Sequence, residues 1–450
     1  MTDHTLTSGN VVPLRPPPRI IPRAEHCISR SQISEYALKV LYRLKNAGYQ
    51  AYLVGGSVRD LLLGRRPKDF DIATNAHPEQ VRELFKNCRL IGRRFRLAHV
   101  HFGPEIIEVA TFRSSDEAQA EAEGDRVMED GRILRDNVYG SSVEEDVWRR
   151  DFTANALYYN IEDFSIVDYV GGVADIQARQ LRLIGDPYAR YREDPVRLLR
   201  AIRFAQKLGL AIHPDTERPI TELGHLLEQI PSARLFEEVL KLFLGAHALP
   251  TYEALRHYRL FGHLFPDVET ALAEGGDGTA SRLVALALAN TDRRIAADKP
   301  VTPAFLFAAL LWPPLVQREQ YHRGHGHPPL MAMQLAQEDV VSRQAARVAI
   351  PRRFTQVTRE IWSLQWRLEQ RAPKSALRML GHPRFRAAYD FLLLRAEAGE
   401  ALSDSCQWWT RFQAENEHAR SQMLSELPSQ PRRRKRRPGR RKRAGAAHTP

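Results

Sequence analysis

Two carboxylates, Asp69 and Asp71, are one residue apart in the stretch KDFDIAT, where apolar residues alternate with them. This alternation predicts a strand, and a strand points residues i and i+2 to the same face. Two like charges held this close destabilise a sheet unless a cation lies between them. Mg²⁺ takes oxygen ligands and is commonly bound by one or two carboxylates together with substrate phosphates. The pair therefore predicts a Mg²⁺ site that acts on a phosphorylated substrate.

A turn that could accept a phosphate comes before this pair. Gly55, Gly56 and Ser57 follow an apolar strand predicted at 52–54 and open a short helix predicted at 58–63. This order lets backbone N–H groups and a helix N-terminus approach a phosphate. Either feature alone is more often a plain turn or a solvated loop, but the two at this spacing favour transfer of a nucleotidyl group. Further positive charge is close in sequence, at Arg59, Arg65, Arg66 and Lys68.

The stretch GGSVRDLLLG…KDFDIAT resembles the signature of the class II nucleotidyltransferase superfamily, which includes bacterial poly(A) polymerases and CCA-adding tRNA enzymes. The resemblance covers residues 26–425 and is densest at 50–205. It implies an α+β fold, with a small mixed-sheet nucleotidyltransferase head and an all-helical neck, body and tail. The expected regions are a disordered leader (1–25), the catalytic head (26–175) and a neck that binds the nucleotide base and RNA (176–270). An RNA-binding body and tail (271–425) and a disordered basic end (426–450) follow.

Two more carboxylates are candidates for the site. Glu108 lies in an alternating strand predicted at 106–112, where it either faces solvent or joins Asp69 and Asp71; the resemblance favours the second. Asp151 follows two arginines and either caps a helix that begins at residue 152 or acts on substrate. The stretch RRDFTANA resembles the superfamily's second motif, which implies that Arg150 meets phosphate while Asp151 and Asn155 contact ribose or metal. Which of Glu108 and Asp151 is the third essential carboxylate stays open.

A helix is predicted after Asp194 and Pro195, with an apolar stripe at Leu198, Ala201, Ile202, Ala205 and Leu208 and an end at Gly209. By physical chemistry alone, the arginines at 197, 200 and 203 form a solvated face. The stretch Glu-Asp-x-x-Arg resembles a superfamily motif that presents hydrogen-bonding groups to the base of the incoming nucleotide. The resemblance implies that Asp194 accepts from adenine and Arg197 donates to it, without a template.

The mechanism that the resemblance implies is a two-metal transfer of AMP from ATP to an RNA 3′-hydroxyl, with release of pyrophosphate. Asp69 and Asp71 would hold two Mg²⁺ ions, and Asp151 or Glu108 would support the site. The groups expected to bind the nucleotide phosphates are Gly55, Gly56, Ser57, Arg59, Lys68 and Arg150.

The branch of the superfamily is indicated by LIGRRFRLAHV at 90–100, which resembles the signature separating bacterial poly(A) polymerases from CCA-adding enzymes. The lead-in at 26–44 and the arginine-rich end also resemble the polymerases. Two alternatives remain: a CCA-adding tRNA enzyme, which would use CTP and stop after a fixed number of additions, and a non-catalytic RNA-binding protein.

Most of the positive charge lies near the end of the chain. Residues 432–443 contain ten basic residues and no acidic ones, and without them the formal charge of +12 falls to +2. Such a block cannot bury a core, so we expect it to be disordered and to bind RNA or DNA through phosphates. The alternatives are a solubilising tail or contact with an anionic membrane surface.

Composition limits the setting. The three cysteines, Cys27, Cys88 and Cys406, are far apart and fit reduced thiols in a cytoplasm better than a disulfide framework. The sequence has no run of eighteen apolar residues, and residues 1–25 have no apolar signal core. We therefore expect a cytoplasmic protein that does not enter membranes. The family resemblance implies a monomer whose partners are the 3′ ends of mRNA and regulatory RNA, and proteins of RNA decay.

Overall fold

The computed structural model describes residues 16–92, 96–113, 126–129, 132–136, 139–140, 142–276 and 278–427. The chain divides into two compact units, the first formed by residues 1–266 with 347–349 and the second by 267–346 with 350–450. The predicted boundary between neck and body, after residue 270, lies close to this division.

The first unit is built on a mixed sheet. Its eight strands are β1 (Arg19–Ile21), β2 (Ala51–Val54), β3 (Asp71–Thr74), β4 (Cys88–Ile91), β5 (Leu97–Phe102), β6 (Glu105–Thr111), β9 (Leu157–Asn160) and β10 (Ile166–Asp168). Their spatial order is β1-β10-β9-β2-β3-β6-β5-β4. Only β3 and β6 pair in parallel; the other neighbours in this sheet are antiparallel. The predicted mixed-sheet head is confirmed.

Two short strand pairs lie outside this sheet. They are the antiparallel pair β7 (Arg126–Glu129) and β8 (Arg132–Asp136), and the parallel pair β11 (Gln180–Leu181) and β12 (Ala211–Ile212). The acidic, glycine-containing stretch at 114–131 has no periodicity, which predicts a mobile loop. Residues 114–125 and 130–131 lie outside the described part, and the expectation is wrong for 126–129 because that segment pairs with β8.

Helices cover both faces of the sheet. The helices of the first unit are α1 (Glu35–Asn46), α2 (Gly56–Leu62), α3 (Pro78–Leu84), α4 (Val143–Arg149), α5 (Gly172–Gln177), α6 (Pro187–Glu193), α7 (Val196–Leu208), α8 (Pro214–Glu222), α9 (Ser232–Phe243), α10 (Ala248–His257) and α11 (Phe261–Leu264). Leu53 and Ile72 pack with the buried stripe of α1, whereas Val54 and Ala73 pack with Val147 of α4 on the opposite face. Since side chains alternate along a strand, Asp71 shares the α4 face with Ala73.

Apolar residues at helical spacing predict a first helix over 29–47, and residues 1–25 are expected to form a disordered leader. The structure corrects the start of both the sheet and this helix. The expected disordered leader is wrong over its described end, because Arg19–Ile21 pairs with β10 and buries Ile21. Helix α1 begins at Glu35 because the Ser34 hydroxyl accepts from the Tyr36 N–H, whereas residues 30–32 form a separate 3₁₀ turn. The apolar stripe of α1 is buried as expected, at Ala37, Val40, Leu41 and Leu44.

A close contact at Gly172 gives a stability prediction. A Cβ added there would lie 2.2 Å from the Thr153 carbonyl oxygen, closer than any real contact. We expect Gly172→Ala to lower the free energy of unfolding by about 3 kcal/mol, because the backbone at residue 153 cannot move aside cheaply. The measurement is urea denaturation beside Gly324→Ala, whose added Cβ would meet nothing within 4 Å. Equal stability of the two variants would show that the turn relaxes freely.

The second unit consists of helices over its described residues. They are α13 (Thr279–Ala296), α14 (Pro303–Leu310), α15 (Trp312–Gly324), α16 (Pro329–Arg347, whose last residue belongs to the first unit), α17 (Arg352–Gln370), α18 (Pro373–Leu380), α19 (Phe385–Glu397), α20 (Ser403–Ala414) and α21 (Glu417–Ser425); α12 (Pro266–Glu274) spans the division. Trp409 is buried and donates a hydrogen bond to the Leu368 carbonyl oxygen, so it packs the core of this unit rather than facing solvent. No helix among the described residues combines the length and apolar character needed to span a bilayer.

Candidate active site

The parallel pairing of β3 and β6 brings two carboxylates side by side. In this register Asp71 lies opposite Glu108. Burial, the charge of Glu108 and then the charge of Asp69 raise the pKa of Asp71 to about 6, while Arg150 acts in the opposite direction. Glu108 and Asp69 therefore both lie within electrostatic reach of Asp71. Glu108 is not an isolated solvent-facing residue, although its side chain remains partly exposed.

The strand that carries this cluster is shorter than expected. β3 begins at Asp71, so the expectation that Asp69 and Asp71 both lie in one strand is wrong. Asp69 is exposed and belongs to the segment that enters the strand. This placement leaves Asp69 accessible to a ligand at the start of β3, close in sequence to the more enclosed Asp71.

His99 is a neighbour of the cluster that the sequence did not reveal. It lies on β5 opposite Glu108, with its Nε2 3.4 Å from Glu108 Oε2. This Nε2 is buried and has no hydrogen-bond partner among the described residues. The signal available in the sequence was the alternation of His99 and His101 in a strand that precedes the Glu108 strand.

The turn before α2 has the geometry of a tight backbone bend. Gly55 has φ +67°, a conformation that favours glycine, and an added Cβ would lie 3.3 Å from Nη1 of Arg150. Ser57 is buried and its hydroxyl donates to the Val54 carbonyl oxygen at 2.9 Å, so the structure uses it to close the turn. Gly56 begins α2, and Lys68 is exposed next to Asp69.

Arg59 is engaged inside the protein. Only 3% of this residue is exposed, and its guanidinium donates to Asp60 Oδ1 at 2.7 and 2.9 Å. Its Nη1 also donates to Asn155 Oδ1. The structure thus places Arg59 between α2 and the 3₁₀ turn at Thr153–Asn155, away from the role of a free phosphate ligand.

Arg150 is held beneath the Gly55 turn. It donates to Asp146 Oδ2 at 2.9 and 3.1 Å, to the Tyr158 hydroxyl at 2.7 Å and to the Asn155 carbonyl oxygen at 3.2 Å. Burial acts to raise the pKa of Asp146. The charge of Arg150, together with hydrogen bonds that Tyr158 and Arg150 donate to Asp146, outweighs burial and lowers that pKa. Arg150 is therefore a fixed positive charge near Asp71.

Asp151 pairs with helix α7. Its carboxylate accepts from the Phe152 N–H at 2.8 Å, from Asn155 Nδ2 at 3.0 Å and from Arg200 Nε at 2.8 Å. These partners, led by Arg200, lower its pKa even though burial opposes them. The helix expected from residue 152 is wrong: α4 ends at Arg149, and after the 3₁₀ turn the chain enters β9, which pairs with β2.

The two residues expected to read the base are separately paired. Asp194 accepts from the Val196 N–H at 3.3 Å and from Arg234 Nη2 at 2.7 Å. Arg197 donates to the Arg190 carbonyl oxygen at 2.7 Å and to Glu193 Oε2 at 2.9 Å. The interpretation of this arginine row as a solvated face is wrong, because Arg197 is buried and Arg200 bonds Asp151. The expected stripe of α7 is buried, and Gly209 ends the helix with φ +66°.

Most of the chain matches known families. Residues 51–182 match the family described as the Poly A polymerase head domain, 209–272 the probable RNA and SrmB-binding site of polymerase A, and 325–443 the arginine-rich C-terminus of polymerase A. The chain is 53% identical to Poly(A) polymerase I of Salmonella typhi over 96% of its own length and 93% of that protein. It is 38% identical to the CCA-adding enzyme of Lactobacillus helveticus, but over only 48% of its length and 52% of that enzyme.

A solved structure shares the fold. The crystal structure of the Bacillus stearothermophilus CCA-adding enzyme in complex with CTP superposes with a TM-score of 0.57 at 27% identity, covering 88% of each chain. The mixed-sheet head and helical remainder thus define a protein of the class of CCA-adding enzymes and poly(A) polymerases. Within that class, the long and close match to Poly(A) polymerase I places this chain in the bacterial poly(A) polymerase I family.

Proposed function

We infer that this protein is a polynucleotide adenylyltransferase, which adds AMP from ATP to RNA 3′-hydroxyls without a template. The observation that carries the inference is the 53% identity to Poly(A) polymerase I over nearly the whole of both chains. In sequence, the CCA-adding enzyme of Lactobacillus helveticus matches only about half of the chain, and CCA-adding enzymes are more distant relatives. The intact Asp69 and Asp71 argue against a non-catalytic RNA-binding protein.

The carboxylate cluster fits a divalent cation. Among the described residues, no three metal-ligating side chains are already gathered around one point. Asp71 and Glu108 nevertheless lie side by side, and their repulsion contributes to the raised pKa of Asp71, which is the condition a cation relieves. Mg²⁺ needs only one or two carboxylates when substrate phosphates complete its shell. We propose that Asp69 and Asp71 hold Mg²⁺, with Glu108 as the third carboxylate.

The reaction joins the RNA 3′-oxygen to the α-phosphorus of ATP and breaks the bond to the β-phosphate oxygen, so that pyrophosphate leaves and the hydroxyl proton is released. Asp69 and Asp71 would hold the Mg²⁺, whose charge would lower the pKa of the hydroxyl and neutralise phosphate charge. The Gly55–Gly56 turn would orient the triphosphate through backbone N–H groups, above the fixed charge of Arg150. Asp194 would accept from adenine and Arg197 would donate to it, after each gives up part of its present pairing.

The natural acceptors that we propose are the 3′ ends of mRNA and regulatory RNA, in the cytoplasm, where adenylation promotes decay. The cytoplasmic setting is supported by three free cysteines and no disulfide among the described residues. Proteins of RNA decay and a monomeric state remain expectations from the family.

The basic segment at 432–443 lies outside the described residues and gives a binding prediction. Deleting residues 432–450 should weaken binding of single-stranded RNA and flatten its salt dependence, because ten positive charges are lost. Fluorescence anisotropy of a labelled RNA at several salt concentrations measures both quantities. The control replaces the same segment by an equally long Gly/Ser chain. Affinity equal to that of the full chain at low and high salt would show that the tail does not bind RNA.

A test of the proposed function uses acceptors with unrelated 3′ sequences. With ATP and Mg²⁺, two unstructured RNAs that differ in their last ten nucleotides should be extended at similar rates. The same RNAs with a 3′-phosphate should not be extended, because the attacking hydroxyl is missing. Extension restricted to a tRNA that lacks its terminal CCA would support the CCA-adding alternative instead.

A further inference from the structure

Two cations on helix α7 have no part in the site described so far. Arg203 and Lys207 are four residues apart on α7, so their side chains lie on the same face. Among the described residues, neither side chain makes a hydrogen bond or an ion pair, and Nε of Arg203 is buried without a partner. Buried donors are nearly always satisfied in native proteins, so an unpaired one requires an explanation.

The surroundings of these two side chains have an excess of positive charge. The guanidinium carbons of Arg59, Arg200 and Arg203 lie 5.3, 5.3 and 4.2 Å from the centre of the Phe204 ring. The neighbouring carboxylates already bond other cations, in the pairs Asp60–Arg59, Asp151–Arg200 and Glu238–Lys241. An anion supplied from outside would balance the two remaining charges.

The pKa values of both cations are lowered, as expected where positive charge is in excess. Burial and then the charge of Arg200 lower the pKa of Arg203, and burial and then the charge of Arg59 lower the pKa of Lys207. Lys68 also lowers the pKa of Lys207, so the two lysines are within electrostatic reach. Lys68 is the residue before Asp69, so the charged neighbours of Lys207 include a side chain that adjoins a proposed metal ligand in the sequence.

One acidic neighbour offers a competing explanation for Arg203 alone. Oε2 of Glu238 is buried and has no partner among the described residues, and its charge raises the pKa of Arg203. The acidic group that raises the pKa of Lys207 is Asp60, which is already bonded to Arg59. Substitution of Lys207 therefore distinguishes a ligand-binding site from a pairing between Arg203 and Glu238 inside the protein.

We propose that Arg203 and Lys207 form a phosphate-binding site on α7 that takes one phosphate group of a substrate, either a phosphodiester near the RNA 3′ end or a phosphate of ATP. The proposal rests on the proposed function. Arginine supplies a planar fork of donors and lysine a compact charge, a combination suited to phosphate oxygens.

The experiment compares Arg203→Gln and Lys207→Gln with the matched variants Arg218→Gln and Lys45→Gln, whose cations pair with Asp215 and Glu162 elsewhere in the first unit. Each protein is assayed with RNA varied at saturating ATP and with ATP varied at saturating RNA. We expect each test substitution to raise one KM about 10-fold and to leave kcat within about twofold, as for a lost charged hydrogen bond. Arg203→Lys should keep most of the affinity, and thermal melting verifies that each variant folds.

A binding measurement identifies the source of the phosphate and does not depend on turnover. The probe is a labelled oligoadenylate of about 15 nucleotides, titrated without ATP at several salt concentrations; loss of one RNA contact reduces the salt slope by about 0.7. A reduced slope assigns the site to RNA, and an unchanged slope with a raised KM for ATP assigns it to the nucleotide. If Lys207→Gln matches its control in both KM values and in the slope, the proposal is wrong. If the unchanged protein extends no RNA, the proposed function is wrong. The salt slope of oligoadenylate binding would still test whether Arg203 and Lys207 bind RNA.

Discussion

Asp71→Asn should lose at least about 10³-fold in the rate of AMP addition while binding RNA as tightly as the unchanged protein. The substitution keeps the shape of the side chain and removes the charge that lies opposite Glu108. Interactions that act on charge developing in the transition state contribute factors of this size. The measurement is a single-turnover assay with labelled RNA, together with anisotropy for RNA affinity.

The same substitution should stabilise the metal-free protein. Because the folded pKa of Asp71 is about 6 and its ordinary value is 3.8, the folded state binds more protons than the unfolded state between these values. The stability of the unchanged protein in EDTA should therefore fall as the pH rises from 4 to 6, and Asp71→Asn should remove this loss. At pH 7.5 the gain should be about 1–3 kcal/mol, and Mg²⁺ should stabilise only the unchanged protein.

The control for Asp71→Asn is Glu83→Gln, which removes one charge from an exposed position on α3. It should change neither the rate nor the response to Mg²⁺. Full turnover by Asp71→Asn would show that the metal site has been placed wrongly. Lower stability of Asp71→Asn in EDTA would show that the carboxylate is favourably paired in the folded protein.

Asp151→Asn and Arg200→Gln should each destabilise the first unit by about 3–5 kcal/mol. Their side chains are only 12% and 31% exposed, and removing one partner leaves the other charge buried. The double variant should lose less than the sum of the single losses, because the two charges disappear together. Urea denaturation of the four proteins gives the coupling free energy. The comparison pair, Asp215 and Arg218, is 62% and 65% exposed and should contribute less than about 1 kcal/mol.

This cycle also decides what Asp151 does. If Asp151 positions α7, turnover should follow the remaining folded fraction, and Arg200→Gln should lower turnover as much as Asp151→Asn. If Asp151→Asn keeps normal stability and abolishes turnover, Asp151 acts on the substrate, as its resemblance to the superfamily motif implies. The observed bonds to Arg200 and Asn155 favour the positioning role.

Elements whose formation depends on neighbouring residues were predictable from the sequence, whereas elements that depend on distant partners were not. The stripe of α7 and its end at Gly209 follow from helical spacing and from the freedom of glycine at positive φ. β1 was missed because its three residues are too few for a periodic signal and its partner β10 lies far along the chain. The start of α1 was missed because two serines, Ser29 and Ser34, both have the chemistry of a cap.

The site was predictable in its residue types and less so in its pairings. Asp71 could be picked out by its spacing from Asp69, but its position opposite Glu108 depends on the register of two strands that are distant in sequence. Arg59 shows the same limit, since only the folded chain brings Asn155 to it. Its position beside a glycine turn suggests that Arg59 binds phosphate. Nothing in the sequence indicates that the Asn155 side-chain amide accepts a hydrogen bond from Arg59 instead.

The central claim, that this chain polymerises AMP on RNA, is tested most directly by nucleotide choice. The purified protein is incubated with Mg²⁺ and an RNA that has a free 3′-hydroxyl, with ATP alone, CTP alone or both, and the products are sized. We predict a long ladder with ATP alone and little extension with CTP alone. One to three additions that require CTP and a tRNA-like end would contradict the account and identify a CCA-adding enzyme.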